Sequence, residues 1–299
     1  MNTRRVLLVD AFTDEPLAGN AAGVVPDAEG LTAGQMQAIA RELSVSETAF
    51  LTPSGPADRR VRYFTPEREV DLCGHATVGA HAALHADGAI DPGQHTLETD
   101  VGVLDVEVES DGTVWMTQND PTVRAVDLDH ETVAAALGVD PDPLLELADE
   151  LPLAVASTGL PFLVVPATFL RVVGNADPDD DAVADLCERV DAEGLYLFTF
   201  DTLASASTLH GRAFVPLAGI PEDPVTGTAS GAVAGYLRRQ GAFDSMPEEL
   251  RLEQGHYVDR PGLVRVRAHD DVTVGGSAVV SLEGDLGVPD ADDEDIVEA

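Results

Sequence analysis

Short apolar runs set the rhythm of this chain. Residues 5–10 (RVLLVD) and 61–64 (VRYF) read as strands, as do 101–108 (VGVLDVEV) and their neighbour at 113–117. Between them, Thr32 to Leu43 reads as a helix. From about Ala76 to Ala86 the sequence ATVGAHAALHA is small and apolar on nearly all sides apart from two histidines, which predicts a helix enclosed by other elements. The second half repeats this grammar, with apolar strands at 161–166 (PFLVVP) and 194–200 (GLYLFTF) and then a glycine-rich turn into TASGAVAGYLRR.

Aligning Asp71 with Asp223 sets DLCGHATVGAHAAL against DPVTGTASGAVAGY, which share the aspartate, a Gly-Ala pair and a small apolar helix. The halves read as duplicated units. A boundary is expected near 119–130, where Asn119, Asp120 and Pro121 supply turn chemistry and Asp127 to Glu131 can begin a helix. The expected organisation is a first domain over 1–122, a second from 123, and a disordered acidic tail at 291–299.

Charge narrows the function classes. Fifty-four acidic against 17 basic side chains give a net charge of −37, which would repel nucleic acid and anionic membrane surfaces. No run approaches the roughly 20 apolar residues that cross a bilayer, and the opening MNTRRVLLVDAF turns acidic too soon for a secretory core, so a cytoplasmic protein is expected. Regular Val, Leu and Ala patterning, with 44 % hydrophobic residues, argues for a packed core rather than an acidic disordered chain. An excess of carboxylates keeps a protein hydrated when molar salt screens repulsion to within about 3 Å, which points to a halophilic source. Cys73 and Cys187 are the two cysteines, with no disulfide framework or Cys-rich zinc site.

Candidate chemistry gathers at the starts of the two enclosed helices, Cys73-Gly74-His75 and Thr226-Gly227-Thr228. Free N–H groups at a helix start attract anions, and glycine lets a ligand approach the backbone, although a glycine before a helix is more often a simple turn. His75 is a candidate proton carrier, as histidine side chains often are, or a structural cap. Glu47, entering the apolar run SETAFL, is either a solvated strand-start residue or, if buried, a proton-transfer group. Asp223 sits in a turn stiffened by Pro221 and Pro224. Cys73 is a candidate nucleophile, but Val225 aligns with it, so no second thiol is available for a two-thiol racemase. His81 and His85 share a helix face as metal ligands would, yet Ala82 stands where the zinc-protease motif needs glutamate, and no metal is expected there.

At these residues the sequence closely resembles the phenazine-biosynthesis-like family, which shares its fold with diaminopimelate epimerase. The matching segments are VDAFTDEPLAGNAAGVV at 9–25, SETAFL at 46–51, RYFTPEREVDLCGHATVG at 62–79, GIPEDPVTGTASG at 219–231 and EQGHYVDRPG at 253–262. The resemblance implies an α+β fold of two similar, pseudo-symmetric domains, each a small β-barrel around a central helix, with the substrate held between them and with 275–290 returning to the first domain, so that the second spans 123–274. It implies an isomerase without metal, flavin or nicotinamide, acting on a small carboxylated metabolite by acid/base proton transfer, and a homodimer. In the phenazine enzyme itself such a site isomerises a dihydro-hydroxyanthranilate. The family's catalytic residues fall on Glu47, His75 and Asp223, and substrate contacts on Asn20, Ser46, Gly74, Gly227 and Thr228. Ala21 stands where proline commonly follows Gly19-Asn20, Thr228 where serine is common and Ser230 where histidine is frequent. Two rival readings remain, a cysteine-assisted amino-acid epimerase and a non-catalytic binding protein of the same fold.

Overall fold

The computed structural model describes residues 2–290, and the acidic tail expected at 291–299 lies outside the described residues. The chain forms two compact units, one holding residues up to Leu17, 21–114 and Ser277 onward, the other Ala18–Asn20 and Trp115–Gly276. In chain order the elements begin with β1 (Asn2–Ala11), β2 (Asn20–Val25), α1 (Ala33–Leu43), β3 (Glu47–Thr52), β4 (Arg59–Phe64), β5 (Glu69–Val70), α2 (Gly74–Ala86), β6 (Gly93–Thr99) and β7 (Gly102–Val108). They continue with β8 (Val114–Thr117), β9 (Thr122–Ala125), α3 (His130–Leu137), α4 (Asp142–Leu145), β10 (Ala154–Ser157), β11 (Pro161–Pro166), α5 (Leu170–Asn175), α6 (Asp180–Arg189) and β12 (Gly194–Thr199). The last are β13 (Leu209–Val215), β14 (Ile220–Asp223), α7 (Gly227–Gln240), β15 (Leu250–Gln254), β16 (Gly262–Arg267), β17 (Thr273–Gly276) and β18 (Ala278–Val288).

Each unit is built on the same pairing plan. In the first, β2 runs parallel to β3, β3 antiparallel to β4, β4 parallel to β6 and β6 antiparallel to β7, with short β5 folded back on β4. In the second, β11 runs parallel to β12, β12 antiparallel to β13, β13 parallel to β15 and β15 antiparallel to β16, with β14 in the place of β5. The strands at 101–108 and 113–117 are neighbours: β7 joins β6 on one side and β8 on the other, Glu109 N donates to Thr113 O at 2.8 Å in the turn between them, and β8 also joins β17. The first unit's long segment ends at Val114 and the second unit's begins at Trp115, inside β8.

Both helices predicted to be enclosed are enclosed. α2 packs on β1, β3, β7 and β18, and every residue from Ala76 to Leu84 is buried. α7 packs on β9, β10, β11, β16 and β17, with Ala229 to Leu237 buried. Small side chains on all faces let strands approach a helix from every direction. By contrast α1 has a one-sided apolar face, burying Met36, Ile39 and Ala40 beside Phe50 and Phe64, and it starts with a capping box between Thr32 and Gln35.

The strand registers correct the internal alignment by one residue. Arg59 opens the parallel step to β6 and Leu209 the one to β15, so Arg62 corresponds to Arg212 and Phe64 to Phe214. Tyr63 faces Val70 and Ala213 faces Asp223, which makes Val70, not Asp71, the counterpart of Asp223. The helices agree, because Thr77 Oγ1 donates to the Cys73 carbonyl as Ser230 Oγ donates to that of Thr226. Cys73 therefore corresponds to Thr226 rather than Val225. Helices that are small and apolar all round carry no facial signal, so a one-residue slip goes unnoticed in sequence.

His81, inside the first unit, links this burial to pH. Its Nδ1 lies 2.9 Å from the Thr77 carbonyl, and desolvation pushes its pKa from the ordinary 6.5 down to about 4. The unfolded chain takes up a proton below about pH 6.5 while the folded chain resists until about 4. The stabilisation is therefore complete above 6.5 and lost as pH falls through that window, by up to about 3 kcal/mol. Denaturant titrations at pH 7 and pH 4.5 are expected to show a smaller loss in His81→Asn than in wild type; equal losses would contradict this assignment.

Candidate active site

In the first unit, β3 begins at Glu47 and α2 at Gly74, and these two starts meet. Glu47 is the first residue of its strand and pairs with Ala22 of the parallel β2. Its side chain is 22 % exposed, and Oε2 lies 3.4 Å from His75 Nε2, whose own side chain is 12 % exposed. Glu47 thus lies between the solvated and the buried environments that pattern alone allowed. Ser46 Oγ lies 3.2 Å from the same Nε2 and 3.4 Å from the Ala21 carbonyl. Cys73, the residue before α2, turns its Sγ to within 3.4 Å of His75 Nδ1. Within α2 the first N–H to find a backbone partner is that of Thr77, on Cys73 O at 3.1 Å, so those of Gly74, His75 and Ala76 lie ahead of the first helical turn. A Cβ on Gly74 would meet nothing within 4 Å, so space is open at that helix start.

The second unit builds a comparable start before α7. Asp223 ends β14, where its Oδ1 accepts from Asn20 Nδ2 at 2.9 Å and its Oδ2 from the Thr226 hydroxyl. Asn20 is buried and also donates to the Val225 carbonyl at 2.9 Å. Gln254, fully buried, stitches the turn together: its Oε1 accepts from Thr226 N at 3.1 Å and its Nε2 donates to Asp223 O at 2.8 Å. Asp223 is accordingly more than a turn residue. Gly227 is the first helical residue, and the backbone carbonyl of Thr228 accepts from Thr158 Oγ1 at 3.3 Å.

Gln254 and Arg260 escaped the sequence reading as individual residues, although both fall in the segment EQGHYVDRPG. Arg260 donates to the carbonyls of Gly19 at 2.9 Å and Ala18 at 2.8 Å, which fixes the segment carrying Asn20. Gly255, at φ +84°, makes this possible, since a Cβ there would lie 2.2 Å from Arg260 O and 2.7 Å from Pro224 O.

A second signal went unread. In both units an Arg-x-Phe-x-Pro string is followed by Glu-x4-Gly, as Arg62 to Gly74 and as Arg212 to Gly227. Arg62 makes a two-pronged contact with Glu69, through Nε at 2.6 Å and Nη2 at 2.8 Å, and Arg212 makes the same contact with Glu222, at 3.0 and 2.6 Å. Each guanidinium also stacks on the phenylalanine of its string, at 5.2 Å for Phe64 and 4.9 Å for Phe214. The repeated pair staples the hairpin that delivers the chain to the helix start.

The units differ at the start of the strand that Glu47 opens in the first. Gly194 opens β12 as Glu47 opens β3, and a Cβ on Gly194 would lie 2.5 Å from Val215 and 2.7 Å from Phe214 O. A carboxylate has no room there. The second thiol is also elsewhere: Cys187 sits in the core around α6, where desolvation pushes its pKa up to about 12.

Comparison with known proteins agrees with this plan. Residues 9–284 match the family model described as phenazine biosynthesis-like protein. The isomerase YfhB of Bacillus subtilis is 35 % identical over 95 % of this chain and 96 % of its own. The trans-2,3-dihydro-3-hydroxyanthranilate isomerase of Pseudomonas chlororaphis is 32 % identical over 88 % of this chain and 89 % of its own. The crystal structure of a PhzF-family phenazine biosynthesis protein from Bacillus anthracis, 33 % identical, superposes with a TM-score of 0.87 over 96 % of this chain and 99 % of that one. The α+β architecture is thus the diaminopimelate epimerase-like fold, and with it the chain belongs to the phenazine biosynthesis-like family of isomerases.

Proposed function

We propose that the protein isomerises a small carboxylated metabolite by moving a proton between carbons, without a cofactor, and that Glu47 carries the proton. The observation that carries this reading is the Glu47 carboxylate held half-buried against His75 Nε2 at the open start of α2. In the proposed step, Glu47 takes a proton from a carbon activated by the neighbouring unsaturation or carboxylate. The electron pair left behind shifts along the conjugated system, and protonated Glu47 returns the proton at another carbon. Nothing is oxidised or reduced overall. His75, oriented by Ser46 and Cys73, donates to the group on which charge develops, and the N–H groups at Gly74 lie where an anion is favoured.

In the second unit Asp223, fixed by Asn20 and Thr226, is assigned to a polar substituent of the substrate. Gly227 and Thr228 are assigned to an anionic one, on the same helix-start physics. A two-thiol epimerisation is disfavoured by Thr226 at the position matching Cys73 and by the core placement of Cys187.

The test is exchange of substrate hydrogen for solvent deuterium, followed by NMR in D₂O at molar salt over a panel of cyclic and amino carboxylic acids. Exchange with a restricted subset is expected and would name the substrate class. Ligand binding without exchange anywhere in the panel would overturn the reading in favour of a binding protein.

A further inference from the structure

We propose that Glu47, Cys73 and His75 also form a binding site for a thiophilic divalent cation of the zinc class, and that its occupancy switches the enzyme off. The inhibitory part rests on the proton-transfer reading above; the site itself rests on geometry. Among the described residues this is the cluster in which three ligand-type side chains bring one donor atom each within 4.8 Å of one another. Glu47 Oε2 to His75 Nε2 is 3.4 Å, and Cys73 Sγ to the same Nε2 is 4.0 Å. A tetrahedral zinc ion with its usual bond lengths holds such donors roughly 3.3–3.8 Å apart, so small side-chain rotations complete three of four positions.

The donor set selects the metal. Thiolate and imidazole favour zinc, cobalt or cadmium over magnesium and calcium, which prefer all-oxygen shells. Cys73 is buried and already directed at the imidazole, so little ordering remains to be done on binding. His81 and His85, four residues apart on α2, make a poorer site, since neither belongs to a group of three such donors among the described residues. On binding, the Cys73 S–H bond gives way to a sulfur–metal bond, the proton leaves to solvent, and no oxidation state changes. The Glu47 lone pair that would accept the substrate proton then belongs to the metal, and Ser46 gives up its contact with His75.

Cobalt(II) is the probe, titrated into the full chain under reducing conditions in molar potassium chloride, which suppresses loose binding to the acidic surface. The readout is the thiolate-to-cobalt charge-transfer absorption in the near ultraviolet. One equivalent is expected to saturate the band in wild type and in Cys187→Ser. The band is expected to vanish in both Cys73→Ser and Cys73→Ala, and Glu47→Gln to bind about tenfold more weakly or worse. No band in wild type, or a band that survives in folded Cys73→Ser, would overturn the site. Zinc at one equivalent is expected to stop deuterium exchange, and exchange persisting with the site saturated would overturn the switch. The absorption needs no substrate, so failure of the proposed reaction and failure of the metal site read out separately.

Discussion

Glu47→Gln is expected to slow substrate deuterium exchange by about 10²- to 10⁴-fold, the usual contribution of a positioned acid/base. In free energy that is roughly 3–5 kcal/mol of transition-state stabilisation. Glutamine matches glutamate in shape and still reaches His75 Nε2, but its amide cannot accept and return a proton from carbon. The substitution leaves the backbone of β3 untouched, and the side chain is partly exposed, so the variant is expected to unfold within about 0.5 kcal/mol of wild type. Exchange by folded Glu47→Gln at the wild-type rate would remove Glu47 from the mechanism and leave His75 or Cys73 to be tested in its place.

Arg212→Ala is expected to destabilise the fold by about 3–5 kcal/mol, while Arg62→Ala at the matching position costs about 1 kcal/mol or less. The two arginines make the same two-pronged contact on duplicated hairpins, and burial separates them. The Arg212 and Glu222 side chains are each 9 % exposed, whereas Arg62 and Glu69 are 25 % and 33 % exposed. Arg212 also donates from Nη1 to the carbonyls of Val173 at 3.0 Å and Ala176 at 2.7 Å, at the end of α5. Truncating it strands a carboxylate and two carbonyls in the interior, whereas truncating Arg62 leaves a carboxylate that water can reach. Denaturant midpoints at one fixed salt concentration decide the matter, and equal losses in the two variants would refute the burial argument. Because Glu222 precedes Asp223, substrate affinity is expected to suffer in Arg212→Ala beyond what partial unfolding explains.

Much of the fold was legible in the chain. The strands at 61–64, 161–166 and 194–200 and the helices at 32–43 and 76–86 fall on observed elements, because short apolar runs and helix caps report local preference directly. Less legible was pairing. Nothing in 113–117 says that this strand also pairs with β17, more than 150 residues further on, since partner choice depends on contacts distant in sequence. The alignment of Asp71 with Asp223 erred for a related reason: register is set by strand hydrogen bonds, and the helices that followed were too uniform to reveal a slip.

The residues now placed in the candidate site divide in the same way. From the sequence alone came the identity of the groups, Glu47, His75 and Asp223 among them, the two glycine-led helix starts and the presence of a duplication, because these are properties of residue type and local order. Only the tertiary structure decided that Glu47 is half-buried against His75 with Ser46 and Cys73 around it, that Gln254 and Arg260 hold the second turn, and that one Arg–Glu staple is buried while its twin is partly wet. Burial and donor–acceptor distance arise from packing between segments tens of residues apart, and no property of a single segment encodes them.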